Sequence, residues 1–195
     1  MSAPVPRPPK LSVTVRRSRF TDLPALVYLY RHRSEESKRT YHPFPFSRVR
    51  LSAIYLWMIV VQRWMRPFVR HFPKQAAVLL IAERAESPRM VGYGTVRLMS
   101  GYGEEPVARF GYLVRDDCQG RGVGGQIVMA QVMTAKAAGI KKGGGTVLKS
   151  NVASSHLIEK WGWRFRRGGQ DRGAPQEENL ETVGDLDEIL RGRGM

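Results

Sequence analysis

The chain has 195 residues, a single cysteine, and 32 Lys and Arg against 17 Asp and Glu, a formal net charge of +15. That length buries one core without needing a second, and the lone Cys118 excludes an internal disulfide framework and fits a reducing compartment. The positive charge attracts polyanions without choosing among them, and no helix-turn-helix pattern, zinc spacing or aromatic RNA-binding strand accompanies it, so no specific nucleic acid is expected.

Residues 1–10 (Met-Ser-Ala-Pro-Val-Pro-Arg-Pro-Pro-Lys) form a proline-rich arm with no apolar run of the kind a signal peptide needs, which leads us to expect a cytoplasmic protein. Residues 11–167 are expected to form one domain. A strand is predicted over 11–17 and a helix over 22–32, with Thr21 or Asp22 as its cap and Pro24 in its first turn. A second helix is predicted over 48–66. Its stretch from Leu51 to Val61 is apolar almost without break, bounded by Arg48, Arg50, Arg63, Arg66 and Arg70. It is shorter than the ~20 residues needed to cross a bilayer, and Leu56, Trp57, Val60 and Trp64 fall opposite Leu51, Ile54, Met58 and Met65. Apolar residues all round predict burial of Leu51 to Met65 against the domain. A lid or dimer interface, and a helix lying on a membrane surface, are the alternatives.

Strands are predicted over 76–83, 90–98 and 107–114, the last two joined by the turn signal Gly101-Tyr-Gly-Glu-Glu-Pro. A helix over 122–139 follows, with Gly143-Gly144-Gly145 expected to end it and reset the chain. Then come a strand over 145–150, a helix over 152–161 and a short strand over 163–167. The remainder, 168–195, reads as a polar, acidic tail. In it Leu180, Val183, Leu186, Ile189 and Leu190 recur at helical spacing, which predicts a short docking helix and no further strand. Consecutive antiparallel strands followed by strand, helix, strand and helix predict an α+β domain. It has three layers, a mixed and mostly antiparallel sheet with helices on both faces.

The most informative stretch is Phe110-Gly-Tyr-Leu-Val-Arg-Asp-Asp-Cys-Gln-Gly-Arg-Gly-Val-Gly-Gly125, a strand, a polar turn and a glycine-rich helix start. Glycines let backbone N–H groups approach a ligand closely, and the unpaired N–H groups and positive dipole end of the helix suit a pyrophosphate. A dinucleotide site would place the glycines directly after the strand and an acid about 20 residues on. Here the strand stops four residues before Gln119, and the next one ends in Lys149-Ser150-Asn151. No Gly-Lys-Ser or Gly-Lys-Thr follows, which excludes a Walker loop.

The pattern resembles the Gln/Arg-x-x-Gly-x-Gly/Ala signature of the GNAT superfamily of acyl-CoA N-acyltransferases, with Gln119, Gly122 and Gly124 on the defining positions. The likeness extends over residues 11–165. After the loop helix come the strand Thr146 to Ser150, Asn151, a helix, and the closing Gly162-Trp163, with the eleven-residue interval from Asn151 to Gly162 that the family uses. The segment Ser34-Glu-Glu-Ser-Lys-Arg-Thr-Tyr-His-Pro-Phe-Pro is similar to one in Pat-type protein lysine acetyltransferases. The resemblance implies acetyl-CoA as co-substrate. Its pyrophosphate would lie on the N–H groups of Gln119, Gly120, Arg121, Gly122, Val123, Gly124 and Gly125. The pantetheine arm would run along Tyr112, Leu113 and Val114, and Asn151 would also bind the cofactor. It also implies an amine acceptor, either a small molecule or a protein lysine, and leaves monomer or homodimer open.

Catalysis is the exception. Amine acylation requires a neutral amine, whereas a lysine starts near pKa ~10.4. The position at which such relatives carry a basic glutamate is Arg109 here, and the position of their acidic tyrosine is Ile158. Substitutes by residue type are Glu83, Glu104, Glu105 and His156. Cys118, beside the loop, is expected to be structural rather than nucleophilic, and no metal is expected. Without a dominant side chain, the amine would lose its proton to water and the Val114 N–H would polarise the thioester carbonyl. A CoA-binding module without turnover and a basic protein that binds nucleic acid or membrane surfaces are the other functional classes considered.

Overall fold

The computed structural model describes residues 8–35, 37, 49–56, 77–99, 106–167 and 179–194. Seven strands form one sheet: β1 (Val13–Arg17), β2 (Ala77–Arg84), β3 (Ser87–Met99), β4 (Val107–Val114), β5 (Lys142–Leu148), β6 (Arg164–Arg167) and β7 (Asn179–Asp185), in the order β1-β2-β3-β4-β5-β7-β6. Among these pairings only β4 with β5 is parallel. A parallel pair needs a crossover, and α2 (Val123–Ala137) supplies it. Further helices are α1 (Leu23–Arg31), α3 (Val152–Lys160) and α4 (Leu186–Arg191).

The layers follow from residue alternation along β2. Leu79 and Ile81 face Leu26, Leu29 and Tyr30 of α1, joined by Leu51 and Tyr55. Leu80 and Ala82 point the other way, where α2 lays Val123, Ile127, Val128 and Val132 over β3 and β4. A strand buried on both faces explains the unbroken apolar run Ala77-Val-Leu-Leu-Ile-Ala. Fully buried Gln131 is the polar exception on α2. Its Nε2 donates to the carbonyls of Thr95 (3.0 Å) and Gly111 (2.7 Å), pinning the helix to β3 and β4. Gly94 leaves the space for it, since a Cβ there would stand 2.8 Å from that nitrogen.

Three expectations are corrected. Gly143, Gly144 and Gly145 do not end a helix; they lie inside β5, and Gly139, with φ +78°, follows the helix end instead. β5 needs glycine because its neighbours press on it: a Cβ on Gly144 would fall 1.8 Å from the Thr182 carbonyl oxygen, and one on Gly143 would fall 2.6 Å from the Phe110 ring. The segment after 178 is not a tail apart from the domain. β7 inserts between β5 and β6. The helical spacing of Leu180 and Val183 is incidental, since a strand puts them on opposite faces, whereas α4 is the expected short helix. Its cap is Asp185, which accepts from the N–H groups of Asp187 and Glu188. Of the predicted helix over 48–66, residues 49–56 are helical, with Leu51 and Tyr55 buried; 57–66 lie outside the described residues, as does the turn at 101–105. Among the described residues no helix is long and apolar enough to cross a membrane.

Candidate functional site

β4 and β5 pair only at their feet, at Val107 with Lys142, Ala108 with Gly143 and Arg109 with Gly144. Beyond these the strands run on, unpaired with each other, to Val114 and Leu148. The sheet therefore opens between them. Which backbone groups face the opening follows from the antiparallel alternation of β3 and β4. Arg115 donates its N–H to the Val91 carbonyl (2.8 Å), so Val114, opposite Gly92, turns its own N–H and carbonyl away from β3. The same alternation turns those of Tyr112 towards the opening.

The loop at the head of the opening is built for close approach. Gly120 and Gly122 have φ of +70° and +80°, where a side chain is strained, and Gly122 caps α2 with no side chain folded over its first N–H groups. The open N-terminus of a fifteen-residue helix, unobstructed by a cap, fits an anionic phosphate. Residues 8–13 staple the loop from outside. Leu11 N–H donates to the Arg121 carbonyl (2.9 Å), and Gln126 bonds both the Leu11 carbonyl (2.7 Å) and the Val13 N–H (3.1 Å). These contacts bring Lys10 and Arg121 beside the glycines and add cationic field. Gln126 and Lys10 were missed because a polar residue one turn into a helix, or in an arm, carries no sequence signal of its contacts.

Residues 12–164 match the model of the acetyltransferase (GNAT) domain. The chain belongs to the GNAT family of acetyltransferases. These are N-acetyltransferases that use acetyl-CoA as co-substrate. Solved structures share the fold. The GNAT domain of S. lividans PAT is 24% identical with a TM-score of 0.63, over 88% of this chain and 89% of that one. yncA from Salmonella typhimurium, solved with its cofactor acetyl-CoA, is 18% identical at a TM-score of 0.65, over 90% and 95%. Spermidine N-acetyltransferase from Vibrio cholerae, in complex with CoA and spermine, is 16% identical at 0.66, over 91% and 98%. No curated protein matches the chain significantly.

Around the GNAT loop, the sequence-selected residues divide. Gln119 is the centre of a network: its Nε2 donates to Asp116 Oδ1 (2.9 Å) and approaches Ser37 Oγ and the Val114 carbonyl (3.4 Å each). Asp116 also accepts from Ser37 Oγ and Ser34 N–H, both at 2.6 Å. The segment after α1 is thus tied to the loop through a carboxylate that the motif does not name. Tyr112 lies beneath α3, its hydroxyl on Ser154 Oγ (3.0 Å), and burial pushes its phenol upward. Asn151 caps α3 by accepting the Ser154 N–H (3.0 Å). Gly124 packs against Tyr112 and Leu157, with 3.3 and 3.4 Å for a Cβ there, so its glycine serves packing as much as ligand approach.

The catalytic substitutes fare unequally. Ile158 is buried in the core beside Trp161 and Trp163. His156 is exposed on α3. Glu83 is held by Arg16, which also grips Asp22 in a three-membered network (2.6–3.0 Å). Glu104 and Glu105 lie outside the described residues. Cys118 is fully buried. Among the described residues no cluster of His, Cys, Asp or Glu could hold a metal. Arg109 reaches over the opening to Glu181 of β7 (2.8 Å) and towards Thr146 of β5 (3.5 Å). Glu181 was missed because it belongs to the strand that the helical spacing concealed.

Proposed function

We propose that this protein transfers the acetyl group of acetyl-CoA to a primary amine, with a protein lysine as the acceptor. The single observation carrying the proposal is the continuity of two features: the opening between β4 and β5 leads directly into the uncapped, glycine-lined start of α2. In this reading the pyrophosphate rests on the N–H groups from Gln119 to Gly125, with Lys10 and Arg121 adding attraction. The pantetheine arm extends along Tyr112 to Val114, adding a strand-like edge to β4, and Asn151 holds the far wall through its cap on α3. When bound, acetyl-CoA supplies an activated acyl group. The chain contributes orientation, and the Val114 N–H polarises the carbonyl, an electrostatic contribution that removal of comparable donors puts at ~10²–10³ in rate.

Two features favour a protein lysine over a polyamine. Ser34 and Ser37, which follow α1 and are bound to the loop through Asp116, would flank an acceptor that enters from the α1 side without displacing α2. A chain with net charge +15 repels a polycation and tolerates a lysine set among acidic residues. The test is thiol release from acetyl-CoA with acidic lysine peptides, N-terminal peptides and polyamines as acceptors. Faster turnover of the acidic lysine peptide supports the proposal, and turnover of polyamines alone sinks the acceptor assignment.

A further inference from the structure

Arg109, Thr146 and Glu181 come from three strands and meet at the foot of the opening. Ala108 and Phe110 pack in the core beneath α2 and α4. Strand alternation therefore sends Arg109 out on the opposite, α1-side face. Thr146 stands directly opposite Glu181, one alternation beyond the last β4–β5 pair at Arg109 and Gly144. The guanidinium crosses the gap to reach both (2.8 and 3.5 Å). The Arg109 and Glu181 side chains keep 31% and 21% of their surface exposed, enough for an incoming amine or a bridging water. Asp22, Glu83 and Asp116 each have both carboxylate oxygens engaged, the first two by Arg16 and the third by Ser34, Ser37 and Gln119, whereas Arg109 holds Glu181 through Oε1.

We propose that Glu181 is the group that takes the acceptor's proton, and that Arg109 is a positioning residue holding that carboxylate over the opening. The inference rests on the N-acetyltransferase reading above. Glu181 accepts one proton from the acceptor ammonium, directly or through a water. The amine nitrogen then bonds to the thioester carbonyl carbon as the carbon–sulfur bond breaks. The second nitrogen proton passes to the departing thiolate, and Glu181 returns its proton to solvent. The nearby guanidinium acts on the acceptor itself, since a fixed cation disfavours the ammonium form of an amine beside it. The carboxylate that β4 lacks at Arg109 is thereby delivered from β7.

The test compares wild type with Glu181→Gln, Glu181→Asp and Arg109→Gln. Acetyl-CoA affinity is read by calorimetry and initial rates from about pH 6.5 to 10, on the fastest acceptor of the panel above. In Glu181→Gln, acetyl-CoA affinity should stay within about twofold while kcat/KM near pH 7 falls ~100-fold or more. That deficit should shrink as pH approaches the amine's own pKa of ~10.4, because solvent then delivers neutral amine. Glu181→Asp should recover part of the loss, and Arg109→Gln should lose rate without losing acetyl-CoA. A Glu181→Gln loss below about threefold at neutral pH, or a loss equal at every pH, overturns the proposal while leaving the acetyltransferase reading intact. Wild type that binds acetyl-CoA yet acylates no amine in the panel brings down that reading and the inference with it.

Discussion

Single residues carry the approach of the ligand and the integrity of the face opposite it. Gly122 combines φ of +80° with open space, the nearest atom to an added Cβ being Lys10 Cγ at 4.0 Å. Gly122→Ala therefore acts through backbone strain of about 1–2 kcal/mol and through the methyl placed at the helix start. We expect acetyl-CoA affinity, measured by calorimetry, to fall about tenfold or more. Gly124→Glu is a poorer probe, because its side chain would first have to displace Tyr112 and Leu157. Asp22 gives a pH-dependent case. Burial acts to raise its carboxyl, but the hydrogen bonds from Arg16 and the Arg19 N–H prevail and hold it below the usual carboxylate range. A depressed carboxyl contributes stability that is present above its unfolded value and is lost as pH falls through its folded one. Asp22→Asn should cost about 1–3 kcal/mol in urea unfolding at pH 7. The gap from wild type should narrow below about pH 4, and an undiminished gap in acid would refute the assignment.

At the scale of elements, the glycine run in β5 separates two uses of the same residue. Gly139 ends α2 with positive φ and nothing within 4 Å of an added Cβ, so Gly139→Ala should cost about 1 kcal/mol. Gly144→Ala drives a methyl into the Thr182 backbone, which cannot give way while Thr182 Oγ1 also holds the Gly145 N–H and carbonyl. It should cost about 3 kcal/mol or more, or leave β7 and β6 unpaired. Urea unfolding measures both, and equal effects would show that β5 and β7 do not approach as closely as described. These elements also show what sequence could and could not disclose. β2, β3 and β4 were legible because their side chains alternate or run apolar, and α2 because its glycine-rich start is unlike any other stretch. The glycines of β5 were misread because a glycine's close neighbour, here Thr182, sits far away in sequence. β7 was hidden because Leu180, Val183 and Leu186 keep a helical interval although a strand carries the first two and a helix the third. The glycine turn and helix start of the loop were therefore legible, whereas Glu181 and Asp116 gain their partners only through tertiary pairing.

At the scale of the whole molecule, the excess of positive charge and the one-sided access to the opening act together. The loop end gathers Lys10 and Arg121, and the foot of the opening carries Arg109 balanced by Glu181, with exposed Arg97 opposite Arg109 on β3. A field of this sign favours the phosphates of acetyl-CoA and, on the proposed acceptor reading, an acidic protein surface bearing a lysine. It would also draw DNA nonspecifically, through scattered charge, with no groove-reading element among the described residues. The three attractions should separate by their response to salt, because exposed charges are screened beyond about 8 Å at 0.15 M ionic strength and about 3 Å at 1 M. DNA retention should be lost by about 0.5 M salt, since it rests on phosphate neutralisation alone. Acetyl-CoA affinity should weaken but survive, because in the proposed site the N–H groups at the start of α2 would act at hydrogen-bond distance, inside the screening length. Acceptor preference should change most. At low salt an acidic lysine peptide should exceed a basic one in kcat/KM by about tenfold, and the two should converge as screening removes long-range steering. A preference for the basic peptide at low salt would mean that local acidic groups, rather than the molecule's net field, govern the acceptor.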